Sequence, residues 1–205
     1  MKKKFKKKLI LFDLDGVLIN SKKNMQTAWQ IVQREFDLKI PFNDYFAHIG
    51  EPFQEILKKI NVKNNIEKIE NLYRQTSANH LHEVKFYKGV EQTLINLKNR
   101  KLKIGIVTSK DIYRTNSIIS KLVKFDIVSS PKKGLRGKPS PDQLLFSMAK
   151  CKCDPDETIY LGDMKVDMEA ANRAKIEFIQ ASWGYGKFKS KYSLNSFSEL
   201  DDLII

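Results

Sequence analysis

Cysteine and histidine are scarce in this 205-residue chain. The two cysteines, Cys151 and Cys153, are separated by one lysine. That excludes a disulfide-rich secreted scaffold, and two thiolates do not complete a structural zinc site. They read as buried or merely tolerated thiols. The three histidines, His48, His80 and His82, are too few and too scattered for a zinc enzyme. No apolar run approaches the roughly 20 residues needed to span a bilayer. The opening MKKKFKKKLILFDLDG has the basic start of a signal peptide, but its apolar stretch is short and two aspartates interrupt it. The expectation is therefore a cytoplasmic protein without membrane attachment.

Acidic residues are outnumbered, 24 against 37 lysines and arginines, for a net charge of +13. Six lysines among the first eight residues supply six of those charges and leave +7 for the rest. Such a surface attracts nucleic acid, anionic lipid or phosphorylated small molecules. No interleaved aromatic platform or arginine-rich recognition helix accompanies the lysines, so the sequence argues for a solvated basic surface and against a dedicated nucleic-acid partner. The length allows one core with a modest inserted module. Trp29 and Phe53 fit internal packing as well as an interface, which leaves monomer and homodimer both open.

What is present is a regular alternation. Lys8 to Phe12 reads as a buried strand ending abruptly at Asp13. Helical patterns follow over about 23–35, 52–60 and 66–81, interrupted at Pro41, and residues 21–85 show little strand character. Strands are then predicted at 103–108, 125–129, 158–161 and 176–179, with helices over about 89–100, 113–122, 141–150 and 167–175 between them. The tail LNSFSELDDLII predicts a short amphipathic helix. This order argues for an α/β fold: a Rossmann-like, mostly parallel sheet in a three-layer core, with an inserted helical module. The predicted division is a lysine-rich tail at 1–7, a core of 8–20 and 86–205, and a helical cap at 21–85.

Ligands of open α/β sheets bind outside the carboxyl ends of the strands, and polar clusters stand at those ends here. In FDLDGVL, Asp13 and Asp15 point the same way if the backbone stays extended, and Gly16 permits a tight turn. Two close carboxylates repel unless a cation or a shared proton intervenes, and Mg²⁺ favours hard oxygen ligands. An EF-hand fits poorly, because its next ligand position would be Val17. Alone, DLDG reads equally as an acidic strand-end turn. In GDMKVD, Asp163 follows a strand and Asp167 lies near a helix start, which suits a cation site or a helix cap. Thr108 and Ser109 offer hydroxyls after another strand. Lys138, in GKPSPD, reads as a surface lysine or as a point charge held near the sheet edge by Pro139 and Pro141. The predicted topology brings these clusters together.

With these residues in order, the chain resembles the haloacid-dehalogenase-like hydrolases, in the branch of phosphoglycolate phosphatase and β-phosphoglucomutase. DLDGVL at 13–18, the VTS segment ending in Thr108 and Ser109, Lys138 in GKPSPD, and GDMKVD at 162–167 carry the resemblance. It covers nearly the whole chain after the lysine-rich start. The resemblance implies a Mg²⁺-dependent phosphatase acting on a small phosphorylated metabolite through an aspartyl-phosphate. It implies Asp13 as nucleophile and metal ligand, Asp15 as acid and base with its backbone carbonyl at the metal, and Thr108 and Lys138 on the phosphoryl group. Asp163 and Asp167 complete the metal set, so the metal-site residues expected are Asp13, Asp15, Asp163 and Asp167.

Ser109, Lys110, Arg114 and Glu51 are candidate substrate contacts, and His48, Gln54, Tyr73, Arg74 and His80 are weaker ones. The rival activities are a phosphomutase and a nucleotide or nucleic-acid-end phosphatase. Mutases of this branch carry a histidine where this chain has Met25, which weighs against the first.

Overall fold

A computed structural model describes residues 4–204. Positions 1–3 of the lysine-rich start lie outside the described residues. The elements run β1 (Leu9–Phe12), β2 (Ile19–Asn20), α1 (Lys22–Glu35), α2 (Phe42–Phe46), α3 (Phe53–Lys59), α4 (Ile66–Asn79) and β3 (Lys85–Phe86). They continue with α5 (Val90–Asn99), β4 (Lys103–Val107), α6 (Ile112–Ile119), β5 (Ile127–Ser129), α7 (Asp142–Cys151) and β6 (Thr158–Gly162). α8 (Lys165–Arg173), β7 (Glu177–Ala181), β8 (Ser193–Leu194) and α9 (Leu200–Leu203) complete the order.

Six strands form one sheet in the order β5-β4-β1-β6-β7-β8, and every pairing in it is parallel. β1 lies inside the sheet, so its sequence LILF is buried on both faces, as parallel strands require. Its period-two alternation sorts the side chains. Ile10 and Phe12 join the core under α5 and α9, while Leu9 and Leu11 join the core under α7 and α8. Each fully buried aliphatic side chain contributes about 1.5–3 kcal/mol, so this one strand anchors both helical layers.

Helices α1 to α4 pack around a third apolar cluster containing Trp29, Tyr45, Leu57 and Tyr73. In α1 the buried positions Met25, Ala28, Trp29 and Val32 follow helical spacing. The Trp29 and Tyr45 rings stack at 4.6 Å, and Trp29 Nε1 donates to the Ile40 carbonyl at 3.0 Å. Asn24 ties α1 to α4 through the carbonyls of Ser77 and His80.

Several short elements differ from the sequence reading. Pro41 ends one helical pattern, as expected, but it also stands at the N-cap of α2; proline is disfavoured inside a helix and tolerated at its start. Ile19–Asn20 pairs antiparallel with Lys85–Phe86 at the two chain crossings into and out of the helical segment. β8 adds a two-residue edge strand. The expected C-terminal helix is one α turn, anchored by buried Leu200 and Leu203.

Candidate active site

The carboxyl ends of β1, β4 and β6 bring the polar clusters together. After β1 the chain turns tightly: the Leu14 carbonyl accepts from the N–H groups of Leu18 and Ile19, and Gly16 N–H donates to the Ile19 carbonyl. Gly16 takes φ +84°, and a Cβ there would lie 2.2 Å from Asp163 Oδ2. Glycine therefore serves both the turn and the close approach of the β6 loop. Gly184 also closes on Asp163: a Cβ there would lie 2.3 Å from the aspartate Cβ.

Asp13, Asp163 and Asp167 are buried, and each offers a carboxylate oxygen within 4.8 Å of the others. Lys138, also buried, reaches among them: its Nζ is 3.0 Å from Asp13 Oδ1 and 2.7 Å from Asp167 Oδ1. Asp167 Oδ2 accepts from the backbone N–H groups of Asp163 and Met164. Asp163 Oδ2 accepts from Tyr185 N–H at 2.7 Å, whereas Asp163 Oδ1 is buried without a hydrogen-bond partner. Three buried carboxylates around one ammonium leave excess negative charge, and one Asp163 oxygen has no hydrogen-bond partner to offset it. A hard cation fits this donor set.

The electrostatics agree. Burial pushes the Asp13 carboxyl up to about 7, partly offset by Lys138 and reinforced by Asp167 and Asp15. Burial, followed by Asp167 and Asp13, pushes Asp163 well above the usual carboxylate range. Burial disfavours the Lys138 charge, but Asp13 and Asp167 together hold its pKa above the ordinary lysine value.

Asp15, expected at the metal through its backbone carbonyl, keeps its carboxylate outside this trio. It accepts a short hydrogen bond from Ser21 Oγ and lies 3.2 Å from Lys110 Nζ. The mouth of a small cavity opens between this pair and the helices. Asp13, Asp15, Thr108, Ser109, Lys110 and Lys138 line it from the strand ends. Met25, Tyr45, Phe53 and Tyr73 line it from the helical segment, joined by Glu51. Arg114 also lines it, with Nε on Asp111 Oδ2 at 2.5 Å and its guanidinium 5.7 Å from the Tyr73 ring centre. Burial lowers the Lys110 pKa, and Asp15 offsets that only in part.

The cavity has a volume of about 60 Å³. Ser109 Oγ closes one side by donating to the Gly50 carbonyl at 2.6 Å. Among the weaker candidates, Tyr73 reaches the cavity, but Arg74 is engaged by Glu70 and Asp111. His80 uses its ring against Thr76 and His82.

Three participants escaped the sequence reading. Tyr160 OH lies 3.2 Å from Lys138 Nζ and donates to the Val107 carbonyl or Asp167 Oδ1, both at 3.1 Å. In TIYLG it reads as one more core residue of a buried strand. Ser21 sits where a helix N-cap belongs, yet makes no capping bond and engages Asp15 instead. Tyr185, within WGYGKF, accepts from Ser21 N–H through its hydroxyl at 2.8 Å, so one residue touches both the Asp15 and the Asp163 sides of the site.

The sequence profile of the haloacid dehalogenase-like hydrolases matches residues 10–181. The chain belongs to that family. Among related proteins, this hydrolase is 29% identical over 202 residues to the phosphoglycolate phosphatase of Aquifex aeolicus, covering 96% of this chain and 95% of the relative. It is likewise 29% identical to the pyrophosphatase PpaX of Bacillus mycoides, covering 93% and 94%. The solved structure of CbbY from Rhodobacter sphaeroides in complex with phosphate superimposes with a TM-score of 0.82 at 16% identity, covering 94% of this chain and 96% of that one. That likeness establishes the shared fold. No helix among the described residues is long and apolar enough to cross a membrane.

Proposed function

We propose that this hydrolase is a Mg²⁺-dependent phosphatase that cleaves a small phosphomonoester, or a phosphoanhydride such as pyrophosphate, through an aspartyl-phosphate on Asp13. The buried Asp13, set between Lys138 and the Asp163–Asp167 pair, carries the reading. Asp13, Asp163 and Asp167 would hold the ion, with the backbone carbonyl of Asp15 beside them. Mg²⁺, when bound, supplies positive charge to the phosphoryl oxygens.

An Asp13 carboxylate oxygen attacks phosphorus as the bond to the leaving oxygen breaks, and Asp15 gives that oxygen its proton. Asp15 then takes a proton from the water that attacks phosphorus, which releases phosphate and restores Asp13. Lys138 and Thr108 hold the phosphoryl group, and the Lys138 charge lessens its repulsion of the incoming carboxylate.

Residues 21–85 act as a cap in this reading. A pocket of about 60 Å³ between the strand ends and these helices suits a cap that opens for entry and closes to exclude water. Lys110 and Arg114, both buried at the cavity, favour a leaving group that carries its own negative charge. Glycolate and phosphate, the leaving groups implied by the relatives' names, share that property. Met25 lines the cavity and no histidine does so among the described residues, which favours hydrolysis over mutase chemistry.

The test is phosphate release from a panel including phosphoglycolate, pyrophosphate, sugar phosphates and nucleotides, with and without Mg²⁺, for the wild type and Asp13→Asn. Metal-dependent turnover lost in the variant is expected, with anionic leaving groups preferred. Equal turnover by both proteins refutes the nucleophile assignment.

A further inference from the structure

The opposite end of the same sheet carries a second charge arrangement. Helices that run antiparallel to a parallel sheet finish near the amino ends of its strands. Here α5, α7 and α8 are each followed by a lysine in the left-handed region: Lys101 at φ +61°, Lys152 at +51° and Lys175 at +58°. Glycine or asparagine usually fills that place, because a side chain there strains the backbone. The negative end of a helix dipole compensates a nearby cation. It does not explain why more lysines arrive there from a different element.

The segment entering β1 brings them. A cleft of about 670 Å³ is lined by six cations, Lys6, Lys7, Lys8, Arg100, Lys101 and Lys103, against two acids, Asp156 and Glu157. Glu157 pairs with Lys8. A second cleft of about 760 Å³ shares Lys7 and Asp156 with the first and extends to Lys175 and Lys191, with Glu177 as its second acid. The two make one basic groove along the amino ends of the strands, with Lys6, Lys101, Lys175 and Lys191 exposed along it.

A bilayer is a poor occupant. The cations line a concave groove, and the exposed large hydrophobic residues Phe86, Ile112, Tyr113 and Leu145 line neither cleft, so nothing there inserts into lipid. A nucleic-acid strand offers a row of phosphates that follows a groove. The lack of an aromatic platform, which argues against a dedicated nucleic-acid reader, excludes base stacking but leaves backbone binding intact. Phe178 is buried and Tyr192 half-buried, so neither presents an open ring face to a base.

We propose that this groove binds single-stranded nucleic acid through its phosphate backbone, without sequence preference, at the end of the sheet opposite the active site. The groove stands independently of the hydrolytic reading, and the test keeps the two apart.

Anisotropy of two fluorescein-labelled 20-mers of unrelated sequence is measured with the full chain in low and moderate salt. Four engaged lysines predict similar affinities for both sequences, each falling about fiftyfold between about 50 and 200 mM salt. Lys6→Glu with Lys101→Glu and Lys175→Glu should weaken binding at least about tenfold. A control triple, Lys63→Glu with Lys68→Glu and Lys121→Glu, has the same net charge but should retain binding. Lys101→Gly with Lys175→Gly should raise Tm, relieving two left-handed lysines, while lowering affinity. Phosphate release from a small substrate should be unchanged in all three variants. The proposal is overturned if the wild type fails to bind at low salt, if both triples lose binding equally, or if phosphatidylserine vesicles capture the protein and the oligonucleotides do not.

Discussion

Asp13→Asn should stabilise the metal-free protein while removing its activity. Asp13 is buried with Asp167 and Asp15 as further negative neighbours, and its carboxyl rises from 3.8 to about 7 despite Lys138. A raised carboxyl pKa means that the folded chain holds the proton more tightly than the unfolded chain. Stability is therefore greatest below the unfolded value near 4, falls as pH rises, and levels off once pH passes about 7. Above that point the ionised carboxylate costs about 4 kcal/mol. Asparagine keeps the shape and removes the charge, so the variant gains about 4 kcal/mol near pH 8 and less than half of that near pH 5. For a chain of this length each kcal/mol moves Tm by about 2–4 °C, so the alkaline gain is about 8–16 °C.

The assay is thermal unfolding in chelator at both pH values, repeated with Mg²⁺. Bound cation stabilises the folded state by mass action, and Mg²⁺ should raise the wild-type Tm more than that of the variant. If metal-free Asp13→Asn is no more stable than wild type near pH 8, the charge on Asp13 is not the unfavourable element that its burial implies.

Three further substitutions test individual contacts. Lys138→Ala leaves Asp13 and Asp167 facing each other in a buried site, and the fold should lose about 3–5 kcal/mol with activity, measured by denaturant unfolding and phosphate release. Tyr185→Phe removes the hydroxyl that accepts from Ser21 N–H while keeping the backbone bond to Asp163. It should lower kcat with little change in KM and destabilise the protein by about 1 kcal/mol. Ser109→Ala releases the Gly50 carbonyl from its hydrogen bond; a several-fold rise in KM with kcat largely retained is expected from steady-state kinetics on the preferred substrate.

The framework of the site was legible because parallel strands buried on both faces announce themselves. LILF, KIGIV and TIYLG are short, apolar and abruptly ended, and the first polar residues beyond them, Asp13, Thr108 and Asp163, lie at the site. Side-chain direction was harder. The period-two argument put both DLDG carboxylates on one side, and both do line the cavity. The turn at Gly16 nevertheless sends Asp15 to Ser21 and Lys110 and leaves Asp13 with the buried Asp163 and Asp167. Arg74 pairs with Glu70 at i,i+4 spacing within α4, and only the fold brings Asp111 to its other side. A hydroxyl such as Tyr160's is invisible to periodicity: phenylalanine would satisfy the strand pattern equally well, but it offers no oxygen to Lys138.

The polarity of the molecule follows from the same topology. A parallel sheet with antiparallel helices sends strand carboxyl ends and helix amino ends to one edge, where backbone N–H groups favour anions. Asp167 uses two of those groups, from Asp163 and Met164, at the start of α8. The helix carboxyl ends collect at the other edge, where cations are favoured, and there the left-handed lysines Lys101 and Lys175 share two clefts with the lysines preceding β1. The fold alone would accept glycine at each of those helix ends with less strain. The lysines therefore mark a contribution from the surface itself, and the paired measurement of Tm and oligonucleotide affinity on Lys101→Gly with Lys175→Gly separates the strain they carry from the binding they provide.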